Sequence, residues 1–273
     1  MDRREEMRLD ALLVERGLIS GRDRAKELIA RGAVLLNGVP ADKPSQRCDP
    51  KADLTVLGDG GHYVSRAAEK LRGAMEAFPV SPEGRVALDV GASTGGFTQY
   101  LLERGAKHVY AVDVGTDQLA PALRSDPRVT DLQQTDIRAL SPGALPEKPT
   151  LAVCDVSFIS LRLVLPAIKS HLSADGQAIV LIKPQFEAGR AAVGRTGVVR
   201  DPSVHLAVLR EMETQFRLCG FVLAGLEPSP IRGGDGNMEF LAWLRQTGEP
   251  LEPDLPALVR RAHTKDTKGK GCL

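Results

Sequence analysis

The chain has 273 residues, 36 Lys and Arg against 35 Asp and Glu, a net charge of +1 and 42% hydrophobic residues. That is the size and mixture of one full α/β domain plus something smaller. Aromatics at 4% exclude a sheet studded with Phe and Tyr for base stacking, so any nucleic-acid surface must come from clustered basic residues. Cys48, Cys154, Cys219 and Cys272 form no C-x-x-C pair, which argues against zinc and against a disulfide framework, and no metal requirement is read from the sequence. The charged start MDRREEMRLDALL has no secretory apolar core, and no run approaches the roughly 18 apolar residues of a span, so a cytoplasmic protein without membrane contact is expected.

Leu9, Leu12, Leu13 and Arg16 fall on a helical pattern that Gly17 ends. Ser20, with Asp23 three residues on, starts a second helix reaching Ile29 to Arg31. Ala33–Leu36, the dipeptide Asn37-Gly38 and Val39 read as a hairpin. A further strand at Leu54–Leu57 precedes the flexible joint Gly58-Asp59-Gly60-Gly61. Residues 1–60 thus form a small α+β unit, and 61–63 a linker. The rhythm then changes: a helix over Val64–Phe78, strands at Val86–Val90, Val109–Val112, Val129–Leu132, Leu151–Cys154 and Ala178–Ile182 with helices between, and a terminal hairpin of Phe221–Glu227 and Phe240–Leu244. Such alternation predicts a parallel sheet covered on both faces. Residues 64–246 form this domain, and 247–273, Pro-rich and then basic through Arg260, Arg261, Lys265, Lys268 and Lys270, are expected to be disordered.

In Val86-Ala-Leu-Asp89-Val-Gly91-Ala-Ser93-Thr94-Gly95-Gly96-Phe97 a buried strand runs through a glycine turn into a helix. Glycines there permit close backbone approach to a ligand at the carboxyl edge of the sheet. No Lys-Ser/Thr follows, and the second glycine comes four residues after the first, so neither a P-loop nor G-x-G-x-x-G is present. A ligand without phosphate fits better, and S-adenosylmethionine, with a sulfonium and an amino-acid end, is such a ligand. Asp89 is placed to hold its ammonium group. Asp113 ends the next strand, where a carboxylate can accept both hydroxyls of a ribose, and Asp136, followed by Ile137, is placed for the adenine amino group.

Four ionisable residues belong to the same edge: Lys70 in the helix before the first strand, Asp155 and Lys183 at the ends of two apolar strands, and Glu239 at the start of the last. A lysine ending an apolar strand is costly unless paired. One reading is a purely structural Lys183–Asp155 pair. The other is a catalytic constellation for methyl transfer to a hydroxyl, a direct displacement in which positioning and proton acceptance are the protein's contributions. Lys183 is then the base, Lys70 tunes the field and steadies the alkoxide, and Asp155 and Glu239 orient the lysines. Amino-directed chemistry lacks its Pro-Pro-aromatic strand end, since the segment here is Asp155-Val-Ser-Phe158. Cys154 points to the opposite face from Asp155 and belongs to the core rather than to carbon-directed catalysis.

Tyr63-Val-Ser-Arg66-Ala-Ala-Glu-Lys70-Leu71, the loop from Asp89 to Gly96 and the order Lys70, Asp155, Lys183, Glu239 resemble the FtsJ/RrmJ-type ribose 2′-O-methyltransferases. Lys183-Pro-Gln-Phe-Glu187, Gly197-Val-Val-Arg-Asp-Pro202 and Ser229-Pro-Ile-Arg-Gly through Gly236-Asn-Met-Glu-Phe240 are similar to the TlyA family, also called haemolysin A. The first module resembles the ribosomal-protein-S-four-type RNA-binding domain in Arg8-Leu-Asp, Gly17-Leu, Ser20–Arg22, Ala25, Ile29 and Gly32 to Gly38. The resemblance covers roughly residues 7–246. It implies a Rossmann-like seven-stranded methyltransferase sheet, S-adenosyl-L-methionine as cofactor, a Lys70-Asp155-Lys183-Glu239 tetrad and cytidine ribose methylation in 16S and/or 23S ribosomal RNA. Ser93-Thr94 depart from the family's usual alanine or proline, and the tail after Arg245 inherits nothing.

For RNA docking, Arg22, Arg24, Lys26 and Arg31 crowd one helix beside Arg8; Arg66 and Arg72 extend the track, and Arg190, Arg195 and Arg200 occupy a Gly-rich loop expected to order on RNA. Ribosomal RNA or ribosomal subunits are the expected partners, with no obligate protein partner. The rivals are a membrane-active haemolysin-like protein, for which no basic amphipathic helix is found, a dinucleotide-dependent oxidoreductase, and an RNA chaperone with a dead catalytic domain.

Overall fold

The computed structural model describes residues 6–19, 21–30, 33–56, 63–189, 192–194 and 197–268, with side chains through 264. It divides into two compact units, residues 1–66 and 67–273.

In the first unit β1 (Met7–Arg8) leads into α1 (Leu9–Glu15), followed by α2 (Arg22–Ala30), β2 (Val34–Leu36), β3 (Val39–Pro40), β4 (Arg47–Cys48) and β5 (Leu54–Val56). The helices bury the apolar stripes Leu9, Leu12, Leu13 and Ala25, Leu28, Ile29 against Val34 and Cys48. Gly17, at φ 66°, stops the first helical turn pattern as expected. Asn37 and Gly38 both take positive φ, 52° and 79°, the requirement of the tight hairpin between β2 and β3. β5 pairs with the other side of β2, and β1 pairs with β4; β1 and β4, two residues each, escaped the sequence reading. The expected cap Ser20, the residues Arg31 and Leu57 and the joint 58–61 lie outside the described residues.

The second unit runs α3 (Ala67–Ala77), β6 (Val86–Val90), α4 (Gly96–Glu103), β7 (His108–Val112), α5 (Pro121–Arg124), β8 (Val129–Leu132), β9 (Leu151–Cys154), α6 (Leu161–His171), β10 (Gln177–Ile182), α7 (Pro184–Glu187), α8 (Pro202–Leu218), β11 (Val222–Pro228), β12 (Phe240–Arg245) and α9 (Leu255–Lys268). The helix expected from Val64 begins at Ala67. Seven strands order as β11-β12-β10-β9-β6-β7-β8, parallel from β10 to β8 and closed by the antiparallel β11–β12 hairpin. Strand order reverses between β6 and β9, and such a switch point opens a crevice beyond the carboxyl ends of the strands.

The tail reading needs correction. Residues from 255 form α9, whose Leu255, Leu258, Val259 and Ala262 recur at helical spacing and are buried in the main core with Met212 and Phe216 of α8. Prolines and basic residues masked that stripe in the sequence. Residues 269–273 lie outside the described set.

Candidate active site

A cavity of about 740 Å³ opens at the switch point, within the range of small-molecule sites. Its walls come from the ends of β6, β7 and β9, from the segment after β8 and from the start of α6. Gly91 sits at φ 82°, and a Cβ there would lie 2.8 Å from the Asp155 carbonyl oxygen, so only glycine lets the chain turn this close to β9. Asp113 lines the cavity with Oδ2 accepting the Ser93 N–H at 2.8 Å and Oδ1 accepting the Gly115 N–H at 2.7 Å. Each oxygen keeps a lone pair for a hydroxyl. Asp136 also lines the cavity, beside buried Ile137; its Oδ2 pairs with Arg138 at 2.5 Å, and that hydrogen bond holds its carboxyl below the usual range.

Of the ten residues expected to hold a cofactor, Gly91, Ser93, Asp113, Asp136 and Ile137 line the cavity; Asp89, Thr94, Gly95, Gly96 and Phe97 do not. Asp89 is enclosed rather than open to the cavity. On β6 the side chains of Val86, Leu88 and Val90 enter one core face, so Asp89 alternates to the other. There it is fully buried, accepts the Thr98 hydroxyl at 2.7 Å, and is pushed up to about 7 by burial. Gly95, at φ 97°, is the first residue before α4, while Gly96 and Phe97 belong to its buried first turn.

The four ionisable residues meet. Lys70, on α3, donates to Asp155 Oδ2 at 3.2 Å and pairs with Glu239 Oε2 at 2.7 Å. Lys183 pairs with Asp155 Oδ1 at 2.7 Å and donates to Ser157 Oγ at 2.8 Å. Their convergence follows from the sheet: Ile182 stands opposite Phe240, so Lys183 and Glu239 extend adjacent strand ends, with β9 on the other side of β10. Side-chain exposures are 10% for Lys70, 11% for Asp155, 8% for Lys183 and 2% for Glu239. Burial opposes the Lys70 charge, yet Asp155 and Glu239 outweigh it and raise its proton affinity above the ordinary lysine value. Lys70 is therefore a fixed cation. Asp155 and Ser157 also line the cavity, so the tetrad adjoins it through Asp155, while Lys70, Lys183 and Glu239 stand behind that carboxylate. Cys154 is core, its thiol pushed up to about 12 by burial.

The segment after Asp155 was not foreseen as a wall. Phe158 lines the cavity mouth at 91% exposure with φ 64°, its ring 5.2 Å from that of Phe186. Glu187 holds this segment by accepting the Ser160 hydroxyl at 2.6 Å and the Leu161 N–H at 2.8 Å. No periodic pattern marks such a loop; its signal was an aromatic three residues beyond a strand-end acid.

The basic residues expected to meet RNA are mostly paired. Arg8 and Arg22 reach Asp10 at 2.9 and 3.4 Å, Arg24 and Arg66 reach Glu27 at 3.0 and 3.2 Å, and Lys26 reaches Asp23 at 2.7 Å. Arg72 pairs with Glu69 at 2.6 Å on its own helix. Arg24 is the most enclosed, at 13%. Arg200 is exposed, and Arg31, Arg190 and Arg195 fall outside the described residues. Among the described residues no helix is long and apolar enough to cross a membrane.

A family model described as FtsJ-like methyltransferase matches residues 63–246, and one described as S4 domain matches residues 7–54. YqxC of Bacillus subtilis (strain 168) is 48% identical over 263 residues, 94% of each chain. The 16S/23S rRNA (cytidine-2′-O)-methyltransferase TlyA of Mycobacterium tuberculosis is 47% identical over 246 residues, 89% of this chain and 92% of the relative. A solved chain from Streptococcus thermophilus carrying the hemolysin label is 42% identical and covers 97% of this chain and 98% of its own, with a TM-score of 0.79.

Proposed function

Since the chain belongs to the FtsJ-like methyltransferases, and within them to the TlyA group, it is an S-adenosyl-L-methionine-dependent enzyme, and we propose that it methylates a ribose 2′-hydroxyl of ribosomal RNA, on cytidine in 16S and/or 23S RNA. The observation that carries this reading is the meeting of Lys70, Lys183 and Glu239 with Asp155, the member of the four that lines the switch-point cavity. The cavity suits the cofactor by its own features: a glycine turn that a Cβ would fill, a strand-end carboxylate at Asp113 with lone pairs to spare, apolar Val112 and Ile137, and no phosphate loop. When bound, the cofactor supplies an electrophilic methyl group on a sulfonium.

The chain's residues then do the rest. Lys183 first gives up an ammonium proton to solvent; as the neutral amine it accepts the hydroxyl proton on Nζ while the ribose oxygen attacks, and Asp155 holds that amine in place. Lys70 stays protonated between two carboxylates and places positive charge beside the developing alkoxide. Glu239 keeps Lys70 in its rotamer. Phe158 at the rim offers an aromatic face to a base. The exposed sides of Arg8, Arg22 and Lys26 contribute phosphate contacts from the S4 unit, and a ribosomal RNA or subunit partner places the reaction in the cytoplasm. Lys183→Ala should lower the rate of methyl transfer by about 10²–10⁴ while S-adenosyl-L-methionine binding, followed by calorimetry, is kept. Wild-type turnover in that variant would remove Lys183 as the base, and absence of ribose methylation on ribosomal RNA by the wild type would remove the function.

A further inference from the structure

One buried side chain stitches the segment around residues 197–199 to the loop before β12. Asn237, 1% exposed, accepts the Val199 N–H on Oδ1 at 2.9 Å and donates from Nδ2 to the Gly197 carbonyl at 3.0 Å. Its own carbonyl accepts the Gly233 N–H at 2.9 Å. Gly233 in turn abuts the tetrad: a Cβ there would lie 2.5 Å from Glu239 Oε1. The stretch leading to Arg200 is thereby fixed to the loop that presents Glu239 to Lys70.

A second cavity of about 470 Å³ lies at this junction, and its lining includes Arg200, Arg232, Asp235, Met238, His205 and His263. Met238 immediately precedes Glu239. Arg200 is exposed, and its guanidinium has no hydrogen-bond or ion-pair partner among the described residues. Arg232 Nη1 donates to the Gly236 carbonyl at 2.5 Å. His205, fully buried, shares a hydrogen bond between its Nδ1 and His263 Nε2 at 2.9 Å. Burial, the His263 ring and Arg232 press the His205 imidazole down to about 4, against the pull of Asp201 and the Val199 carbonyl, so that ring is uncharged at neutral pH. Asp201 itself is engaged as the cap of α8, accepting the Ser203 N–H at 2.8 Å. Beside the two histidine rings, the cavity is lined by two guanidiniums and the carboxylate of Asp235. The histidine pair is explained by tying α9 to α8, but that role leaves an unpaired guanidinium over an open cavity unexplained. Two planar guanidiniums against one carboxylate suit a singly charged anion rich in oxygen acceptors.

We propose that this cavity is a phosphodiester subsite for the RNA strand undergoing methylation, in which Arg200 and Arg232 hold a backbone phosphate near the target nucleotide. Because the 197–200 segment is already stitched to the loop that bears Glu239, a phosphate held there sets the strand in register with the assembled tetrad. The proposal rests on the ribose-methylation reading above. It is tested in the full-length protein with a ribosomal RNA transcript as substrate, comparing R200Q and R200Q/R232Q with the wild type; R200Q alone changes an exposed, unpaired side chain and keeps the comparison clear of folding defects. Each substitution should raise KM for RNA and flatten the dependence of log affinity on log salt by about one unit per arginine, with affinity for S-adenosyl-L-methionine unchanged. The ¹⁵N ring resonances of His205 and His263 should shift when RNA is added to the wild type and stay still in the double variant. Unchanged KM and salt slope in both variants overturn the subsite while leaving the methylation reading in place. Ring shifts produced by inorganic phosphate that RNA cannot displace overturn it too, assigning the cavity to a free anion. A wild type that transfers no methyl group to ribose overturns the underlying reading and the subsite together.

Discussion

Each unit of this chain builds a cluster in which two cations grip one carboxylate, and the two clusters are built for different ends. In the S4 unit Asp10, fully buried, takes Arg8 through two hydrogen bonds of 2.9 Å and Arg22 at 3.4 Å, with the arginines 43% and 55% exposed. In the methyltransferase unit Asp155 takes Lys70 and Lys183, 10% and 8% exposed, and Glu239 closes the network. Arginine never loses its proton in a protein, so the first cluster carries permanent charge with much of each cation left in water. Lysine is the cation whose proton can leave, and enclosing it puts that proton under the control of its neighbours. On the function proposed above, the open cluster of permanent charge is the one that docks on an anionic surface, and the closed cluster of removable charge is the one that transfers a proton.

The comparison can be broken most forcefully at Asp155. Asp155→Ala leaves two enclosed ammonium groups short of a partner, and losing one member of such a network costs about 3–5 kcal/mol. Urea unfolding should register that loss, together with the disappearance of methyl transfer. A loss below 1 kcal/mol would mean that water already solvates the cluster, and the distinction between open and closed would fall. Next in size is Leu258→Ala in α9. Leu258 is 6% exposed within the main core, and truncating it should cost about 2 kcal/mol, the lower end for a buried leucine because the helix is terminal and can settle. A variant as stable as the wild type would return the tail to the solvated segment that its composition suggests.

α9 also marks the limit of what could be read in advance. The central strands were legible because wholly apolar runs such as Leu151–Cys154 and Ala178–Ile182 leave few alternatives, and Asn37-Gly38 specified its hairpin through a positive φ at both residues. The tetrad was legible for an energetic reason: a lysine ending an apolar strand demands a partner, and the family resemblance supplied the other members. Asp89 stood at a strand end in the sequence, and nothing in that position announced its burial against the Thr98 hydroxyl. The helix of residues 255–268 hid its stripe among prolines and basic residues, and the Phe158 loop owes its place to Glu187, a contact between segments 27 residues apart in the case of Ser160. Contacts of that kind have no periodicity to announce them.

The smallest effect is expected at the open cluster, and it has a pH signature. Hydrogen bonding from Arg8 comes first among the causes that bring Asp10 down to about 2, burial opposing it and the charges of Arg22 and Arg8 adding to it. A carboxyl depressed in the folded state binds its proton more readily when unfolded. Its stabilising contribution is therefore present above the unfolded value near 3.9 and is lost as pH falls through about 2. Because both arginines stay partly in water, the contribution is screened, and Asp10→Asn should cost only about 1 kcal/mol at pH 7. The measurement is the difference between wild type and Asp10→Asn in amide exchange protection of Leu12 and Leu13, taken at pH 7 and again near pH 2 and at two salt concentrations. The gap should narrow at low pH and with added salt. A gap that held steady under both changes would mean that Asp10 acts through its shape and hydrogen bonds alone, and the contrast drawn between the two clusters would then rest on the lysines only.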